Sequence, residues 1–259
     1  MRTQQMLLAA AAAVGLLILI LLGVALASAG KDDGPRPRRA GAGATDFSAA
    51  LEAALPATVM IAAPGAPGDA AAETMPMGSG FVASPEGLIV TAAHVVGDLP
   101  VVTVVLFDGS ARPAERVGVD AAADVAVFRF ATIKPLQALE VADTSLVKPG
   151  EPVALLGAPY GLPGTATSGI VSAVGRRLSA EDPGAYIQTD AALTAGGSGG
   201  PLINLDGKVL GIASAKLSRG EAGAGLAFVI PATVVRQVLD RFSAAGPQGV
   251  PAAKPETRP

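Results

Sequence analysis

Three short stretches of this chain carry residue types that do chemistry together. Val90-Thr91-Ala92-Ala93-His94-Val95-Val96 holds the only histidine, just past the end of an apolar run. Ala123-Asp124-Val125-Ala126-Val127-Phe128 puts an acid at the head of a strand-like run. Gly196-Gly197-Ser198-Gly199-Gly200-Pro201-Leu202 sets a serine in a glycine cluster. Acyl transfer needs these parts. A serine hydroxyl is a weak nucleophile until a base takes its proton, and an imidazole does so near neutrality. A carboxylate on the other ring nitrogen fixes the tautomer and stabilises the imidazolium. Backbone N–H donors must converge on the tetrahedral oxyanion, and glycines let a chain turn those groups inward.

Taken singly, each stretch has a plainer reading. A lone histidine at a strand end is commonly a packed or surface residue. An aspartate heading an apolar strand is usually a turn or cap residue, and a GGSGG run is usually a flexible linker. The glycine cluster here is flanked by Asp190-Ala191-Ala192-Leu193 and by Pro201–Gly207, which read as folded chain. The joint occurrence, in the order His, Asp, Ser, outweighs the separate readings.

Composition narrows the chemistry further. The 259 residues contain no Cys and one His. That excludes disulfides, a cysteine nucleophile and Cys-ligated metals, and also any site needing two histidines from one chain. No metal and no cofactor is called for. Acidic residues number 22 against 19 basic ones, for a net charge of −3. The excess is uneven: residues 1–43 sum to +3 and the rest to −6. An acidic body without a basic, aromatic-laced stripe argues against nucleic-acid binding.

The elements that must position these residues are short strands. Asp46–Leu55 reads as a helix with Phe47, Leu51 and Ala54 on one face, Asp46 or Thr45 as N-cap, and Pro56 as its end. Thr58–Ala62 is a candidate first strand. Gly80–Ala83, Gly87–Thr91, Val101–Phe107 and Asp124–Phe130 follow, with turn signals at Pro85-Glu86-Gly87 and Asp108-Gly109. A second series comprises Pro152–Leu156, Thr167–Val174, Tyr186–Thr189, Pro201–Leu205, Lys208–Ala215 and Leu226–Ile230. Two runs of five or six short strands predict two antiparallel β-barrels. Pro231 then opens a last helix with a stripe of Val234, Val235, Val238, Leu239 and Phe242.

At this point the chain resembles the chymotrypsin-type serine proteases, through TAAH at His94 and GGSGGPL at Ser198. It is closer still to their HtrA/Deg branch. The phrases that carry this are GSGFV at Gly78–Val82, DVAV at Asp124, LGAPYG at Leu156–Gly161, TSGIVSAVGR at Thr167–Arg176 and IQTDAAL at Ile187–Leu193, then GKVLGIASA at Gly207–Ala215 and GLAFVIP at Gly225–Pro231. The resemblance runs from Phe47 to Phe242. It implies an all-β fold of two six-stranded antiparallel barrels, with a C-terminal helix and an N-terminal hydrophobic helix. The implied protease domain is 46–243, with barrels at about 57–135 and 148–230 and a helix at 231–243.

The resemblance implies His94 as general base, Asp124 as its orienting carboxylate and Ser198 as nucleophile. It implies an oxyanion hole along Gly196, Gly197 and Ser198, with Gly196 and Ser198 donating and Gly197 between them. It places the substrate side-chain pocket against Ala192, Leu193, Ser214, Ala215 and Lys216, with small or medium apolar side chains preferred. Two departures stand out. The residue before the nucleophile is usually Asn in that branch and is Gly197 here. A PDZ module, common after such domains, does not fit in the segment after the last helix. Relatives often form trimers through the N-terminal part of the protease domain, so a homotrimer is raised, with Phe47 a candidate contact.

The N-terminal segment has no charged residue from Thr3 to Gly30. Its apolar core, Leu7–Ala27, is 21 residues, about 32 Å as a helix, enough to cross a bilayer. Residues 1–30 therefore read as a signal peptide, with Ala27-Ser28-Ala29 a cleavage candidate, or as an uncleaved anchor through residues 7–27. Residues 31–45 are a Pro/Gly-rich basic linker and residues 244–259 a flexible tail. Basic residues after the span favour a cytoplasmic body, whereas the resemblance favours a body outside the cytoplasm, anchored or secreted. The expected activity is a serine endopeptidase acting on unfolded or extended polypeptide. The alternatives are a peptide-binding homologue with a collapsed oxyanion hole and a membrane-tethered protease with one specific partner.

Overall fold

The computed structural model describes residues 46–64, 75–178, 184–214 and 225–244. The signal or anchor segment, the basic linker and most of the proposed tail lie outside these residues. Among the described residues, no helix is long and apolar enough to cross a membrane.

The short-strand pattern resolves into two closed barrels, as expected. The first contains β1 (Thr58–Ala62), β2 (Pro76–Val82), β3 (Leu88–Ala92), β4 (Val101–Val105), β5 (Ala111–Asp120) and β6 (Val125–Arg129). They close in the order β1-β2-β3-β6-β5-β4, every pair antiparallel. The second contains β7 (Pro152–Gly157), β8 (Thr165–Arg176), β9 (Tyr186–Thr189), β10 (Pro201–Ile203), β11 (Val209–Ala213) and β12 (Ala227–Pro231). It closes as β10-β11-β12-β9-β8-β7, again all antiparallel. Closure leaves no free sheet edge in either barrel.

β5 is the one strand that the sequence pattern does not announce. Its sequence, ARPAERVGVD, is exposed or half-buried except at Ala114. An outer strand with few inward apolar positions has no period-2 signal to read. Its neighbours carry the signal instead: β6 is buried from Val125 to Phe128, and β4 buries Val102 and Val104 while Val101 and Thr103 are half-buried.

Each barrel is filled by apolar side chains, aliphatic for the most part with two phenylalanines in the first. Phe81, Ile89, Val104 and Phe128 sit in the first, and Val153, Val171, Leu202 and Val229 in the second. Register shifts at Arg116/Gly118 in β5 and along β8 bend the strands that must curl most.

Among the described residues, three α-helices complete the fold: α1 (Ser48–Ala54), α2 (Ala93–Val96) and α3 (Ala232–Ala244). The Asp46 carboxylate accepts from the Ser48 N–H at 2.9 Å at the start of α1, and a 3₁₀ turn over Leu55–Ala57 contains Pro56. Phe47 packs into the chain's own core. Helix α3 follows Pro231, the last residue of β12, and buries Val235 and Val238.

Candidate active site

The site is assembled where loops from both barrels meet. His94 lies on the single turn α2, which begins directly after β3. The N–H of Ala93 donates to the Asp124 carbonyl at 3.0 Å, fixing the start of that turn against the head of β6. Asp124 has a left-handed backbone, φ +56°, a conformation that aspartate tolerates better than most residues. It ends the turn after Asp120, whose carboxylate accepts from the Ala123 N–H at 2.9 Å. The left-handed residue lets the chain reverse and re-enter the sheet as β6 with the acid beside the histidine.

Asp124 Oδ1 accepts from the His94 backbone N–H at 2.9 Å, and Oδ2 lies 2.8 Å from His94 Nδ1. An ionised carboxylate only accepts, so Nδ1 carries the hydrogen and Nε2 keeps its lone pair. The Ser214 hydroxyl donates to the same Oδ2 at 2.8 Å. Asp124 is 7% exposed. Burial alone pushes its carboxyl upward, but the bonds from His94, the imidazole's charge and the Ser214 hydroxyl together hold it below the ordinary carboxylate range. The His94 side chain stays 24% exposed, so a substrate can reach the ring.

Ser198 is 7% exposed and sits in a loop bound to both barrels. Its carbonyl accepts from the Ser79 N–H on β2 at 2.8 Å, and the next N–H, of Gly199, donates to Ala213 on β11 at 2.8 Å. Ala213 ends β11 and Ser214 follows it, so the serine loop and the Asp124 carboxylate are held by adjacent residues. Gly199 has φ +83°, and a Cβ there would collide with the Ser79 carbonyl and the Thr91 hydroxyl. Glycine is the one residue that lets the two barrels close this tightly around the serine.

The loop before Ser198 is equally constrained. Gly196 has φ +88°, and an added Cβ would lie 2.9 Å from the Ala158 carbonyl. The Gly197 N–H donates to the Thr194 carbonyl at 2.9 Å. That N–H is committed within its own turn, so Gly197 lies between the two expected oxyanion donors without being one itself. The arrangement leaves Gly196 and Ser198 as the backbone donors to consider.

The residues expected around the substrate side chain divide into three groups. Ala192 and Leu193 line a shallow depression with Pro159, Thr165, Thr167 and Gly197. The Ala192 carbonyl also accepts from the Thr167 hydroxyl at 2.8 Å. Ser214 is fully buried, with its hydroxyl on Asp124, so its side chain supports the acid rather than walling a pocket. Ala215 and Lys216 lie outside the described residues. Two serines, Ser79 and Ser214, thus make contacts at the site that their sequence positions did not disclose. The only sequence signal for Ser79 is a serine held between two glycines in GSGFV.

The sequence profile of the trypsin-like peptidase domain matches residues 78–212. The chain belongs to the trypsin-like peptidase family. Within it, this domain is 43% identical over 179 residues to a probable periplasmic serine endoprotease, DegP-like, of Halomonas elongata, which covers 69% of this chain and 37% of the relative. A protein of the same description from Pseudomonas fulva is 41% identical over 174 residues, covering 67% and 36%. The chain thus spans little more than a third of the length of these relatives. Among solved structures, an HtrA-type protease, AlgW, with a decapeptide superposes with a TM-score of 0.68 at 29% identity, covering 78% of this chain and 68% of that one. Within that family the domain is thus similar to DegP-like and HtrA-type proteases.

Proposed function

We propose that this chain is a serine endopeptidase of the HtrA/Deg type. The observation that carries the reading is the doubly held His94: Asp124 bonds both its backbone and its Nδ1, which leaves Nε2 as a base. In the proposed reaction, Ser198 Oγ attacks the scissile carbonyl carbon as His94 Nε2 takes its proton. The negative charge that forms on the carbonyl oxygen is met by the N–H groups of Gly196 and Ser198. The tetrahedral species collapses with cleavage of the C–N bond, and the imidazolium returns the proton to the leaving amine. Water then attacks the acyl-enzyme by the same route, with His94 again as base. Asp124 stays ionised throughout and holds the ring.

The substrate class proposed is unfolded or extended polypeptide, supported by the peptide in the AlgW structure and by the endoprotease descriptions of the relatives. The neutral depression at Leu193, Thr165 and Thr167 favours small or medium apolar side chains. The relatives are described as periplasmic. Together with the apolar stretch Leu7–Ala27, this supports a cell-envelope location with the catalytic domain outside the cytoplasm.

A fluorophosphonate probe tests the reading directly. Wild type should be labelled at Ser198 and should cleave casein, and Ser198→Ala and His94→Ala should each abolish both. A wild-type protein that is neither labelled nor active on casein would overturn the assignment.

A further inference from the structure

Ser79 is fully buried on β2, yet its polar atoms reach three separate segments. Its hydroxyl donates to the Gly196 carbonyl at 2.6 Å and accepts from the Ala158 N–H at 2.8 Å. Its own N–H donates to the Ser198 carbonyl at 2.8 Å, and its carbonyl accepts from the Thr91 hydroxyl at 2.6 Å. One O–H donor and one lone pair are therefore spent on two backbone groups that no strand pairing provides for.

Those two groups control Gly196. The Gly196–Gly197 peptide is pinned at both ends: its carbonyl by Ser79 and its N–H by Thr194. The Ala195–Gly196 peptide is pinned through the Ala158–Gly161 turn, where the Tyr160 N–H donates to the Ala195 carbonyl at 2.9 Å. That turn is the one Ser79 holds at Ala158. A trans peptide sends its N–H opposite to its C=O, so fixing the Ala195 carbonyl against the turn aims the Gly196 N–H away from it. The space around the hydroxyl is closed as well, since a Cβ at Gly157 would lie 2.7 Å from Ser79 Oγ.

We infer that Ser79 is a positioning residue for the oxyanion hole: its hydroxyl sets the orientation of the Gly196 N–H by holding the peptides on both sides of that residue. The inference rests on the endopeptidase reading above and adds the device that keeps a glycine-only loop in order. Gly197 has no side chain with which to restrain the loop, and the restraint comes from Ser79 across the barrel interface.

The test compares Ser79→Ala with wild type on a fluorogenic casein-derived peptide and on its trifluoromethyl ketone analogue. The ketone adds reversibly to Ser198 Oγ, and its adduct oxygen occupies the oxyanion position. Ser79→Ala should lower kcat by about ten- to a hundredfold, somewhat less than outright loss of an oxyanion donor, with KM nearly constant. Ketone affinity should fall in proportion. Binding of the uncleaved peptide, measured in the Ser198→Ala background, should be unchanged by adding Ser79→Ala. A merely structural role would weaken peptide and ketone alike. Ser79→Cys, which keeps a weak donor at similar volume, should fall between the two, and it carries the comparison if Ser79→Ala does not fold.

Retention of kcat within twofold in Ser79→Ala overturns the inference, as does equal loss of peptide and ketone binding or failure of both variants to fold. Those results leave the endopeptidase reading standing. A wild type inert toward probe and peptide overturns that reading and the inference with it.

Discussion

Asp124 grips His94 by two bonds at once, Oδ1 to the backbone N–H at 2.9 Å and Oδ2 to Nδ1 at 2.8 Å. The ring therefore cannot rotate away without breaking a bond to the same carboxylate that fixes its backbone. A single histidine makes this grip decisive, because no second imidazole in the chain can replace it.

Asp124→Asn should lower kcat/KM by about 10⁴-fold at neutral pH, because an amide stabilises the wrong tautomer and cannot balance an imidazolium. The same substitution should change acid sensitivity. The Asp124 carboxyl is held below its unfolded value of about 3.9, so the folded state binds fewer protons than the unfolded one in that window. Stability from this group is then fully present above the unfolded value and is lost as pH falls through the depressed folded value. Urea midpoints between pH 7 and pH 3 should fall less steeply for Asp124→Asn than for wild type. Ser214→Ala, which removes one of the bonds to Oδ2, should lie between them. Asp120 is also held low, by the Ala123 N–H and then by Arg241. It contributes to both curves, so the difference between curves is the readout. Parallel curves would contradict the account.

The triad candidates were legible because each lies in a short local motif, and local motifs survive without knowledge of the fold. Contacts between distant segments were not. Ser79 meets Gly196 across 117 positions of chain, and nothing in GSGFV says which loop will lie above it. Ser214 reads from sequence as a pocket-wall residue because sequence gives the alternation along a strand but not which face looks toward Asp124 once the barrel closes. β5 escaped notice for a related reason. Its exposed Arg112, Pro113 and Glu115 give no inward apolar pattern, and only closure of the barrel requires a strand there.

The Gly197 position should be sensitive to size rather than to backbone geometry. Its φ is not left-handed, but an added Cβ would sit 2.9 Å from Leu193 Cδ1 and 3.1 Å from the Thr194 carbonyl. The first neighbour is the far end of a flexible side chain and can yield; the second is backbone. Gly197→Ala should therefore be mildly destabilising alone and less so in a Leu193→Ala background. A double-mutant cycle by urea unfolding should give a coupling of about 0.5–1 kcal/mol. Strict additivity would mean that Leu193 does not hold the space beside Gly197.

Helix α3 follows the second barrel in sequence and packs on its β11 and β12, and it also reaches β5 and β6 of the first. Arg241 Nη1 lies 2.7 Å from Asp120 Oδ2, and the Phe242 ring covers Gly118 so closely that a Cβ there would overlap it. Both contacts fall on the end of β5, immediately before the turn that presents Asp124. The Gly118 backbone is not in the left-handed region, so steric overlap alone should decide the outcome of Gly118→Ala. It should cost about 1–3 kcal/mol, the usual penalty for overpacking. Phe242→Ala removes the ring and carries its own loss of packing, but Gly118→Ala added to it should be nearly neutral. Thermal unfolding of the four proteins checks this. Because the displaced strand leads into Asp124, kcat should fall in Gly118→Ala by more than in Phe242→Ala. An equal cost of Gly118→Ala in both backgrounds would show that the ring is not what excludes a side chain at this position.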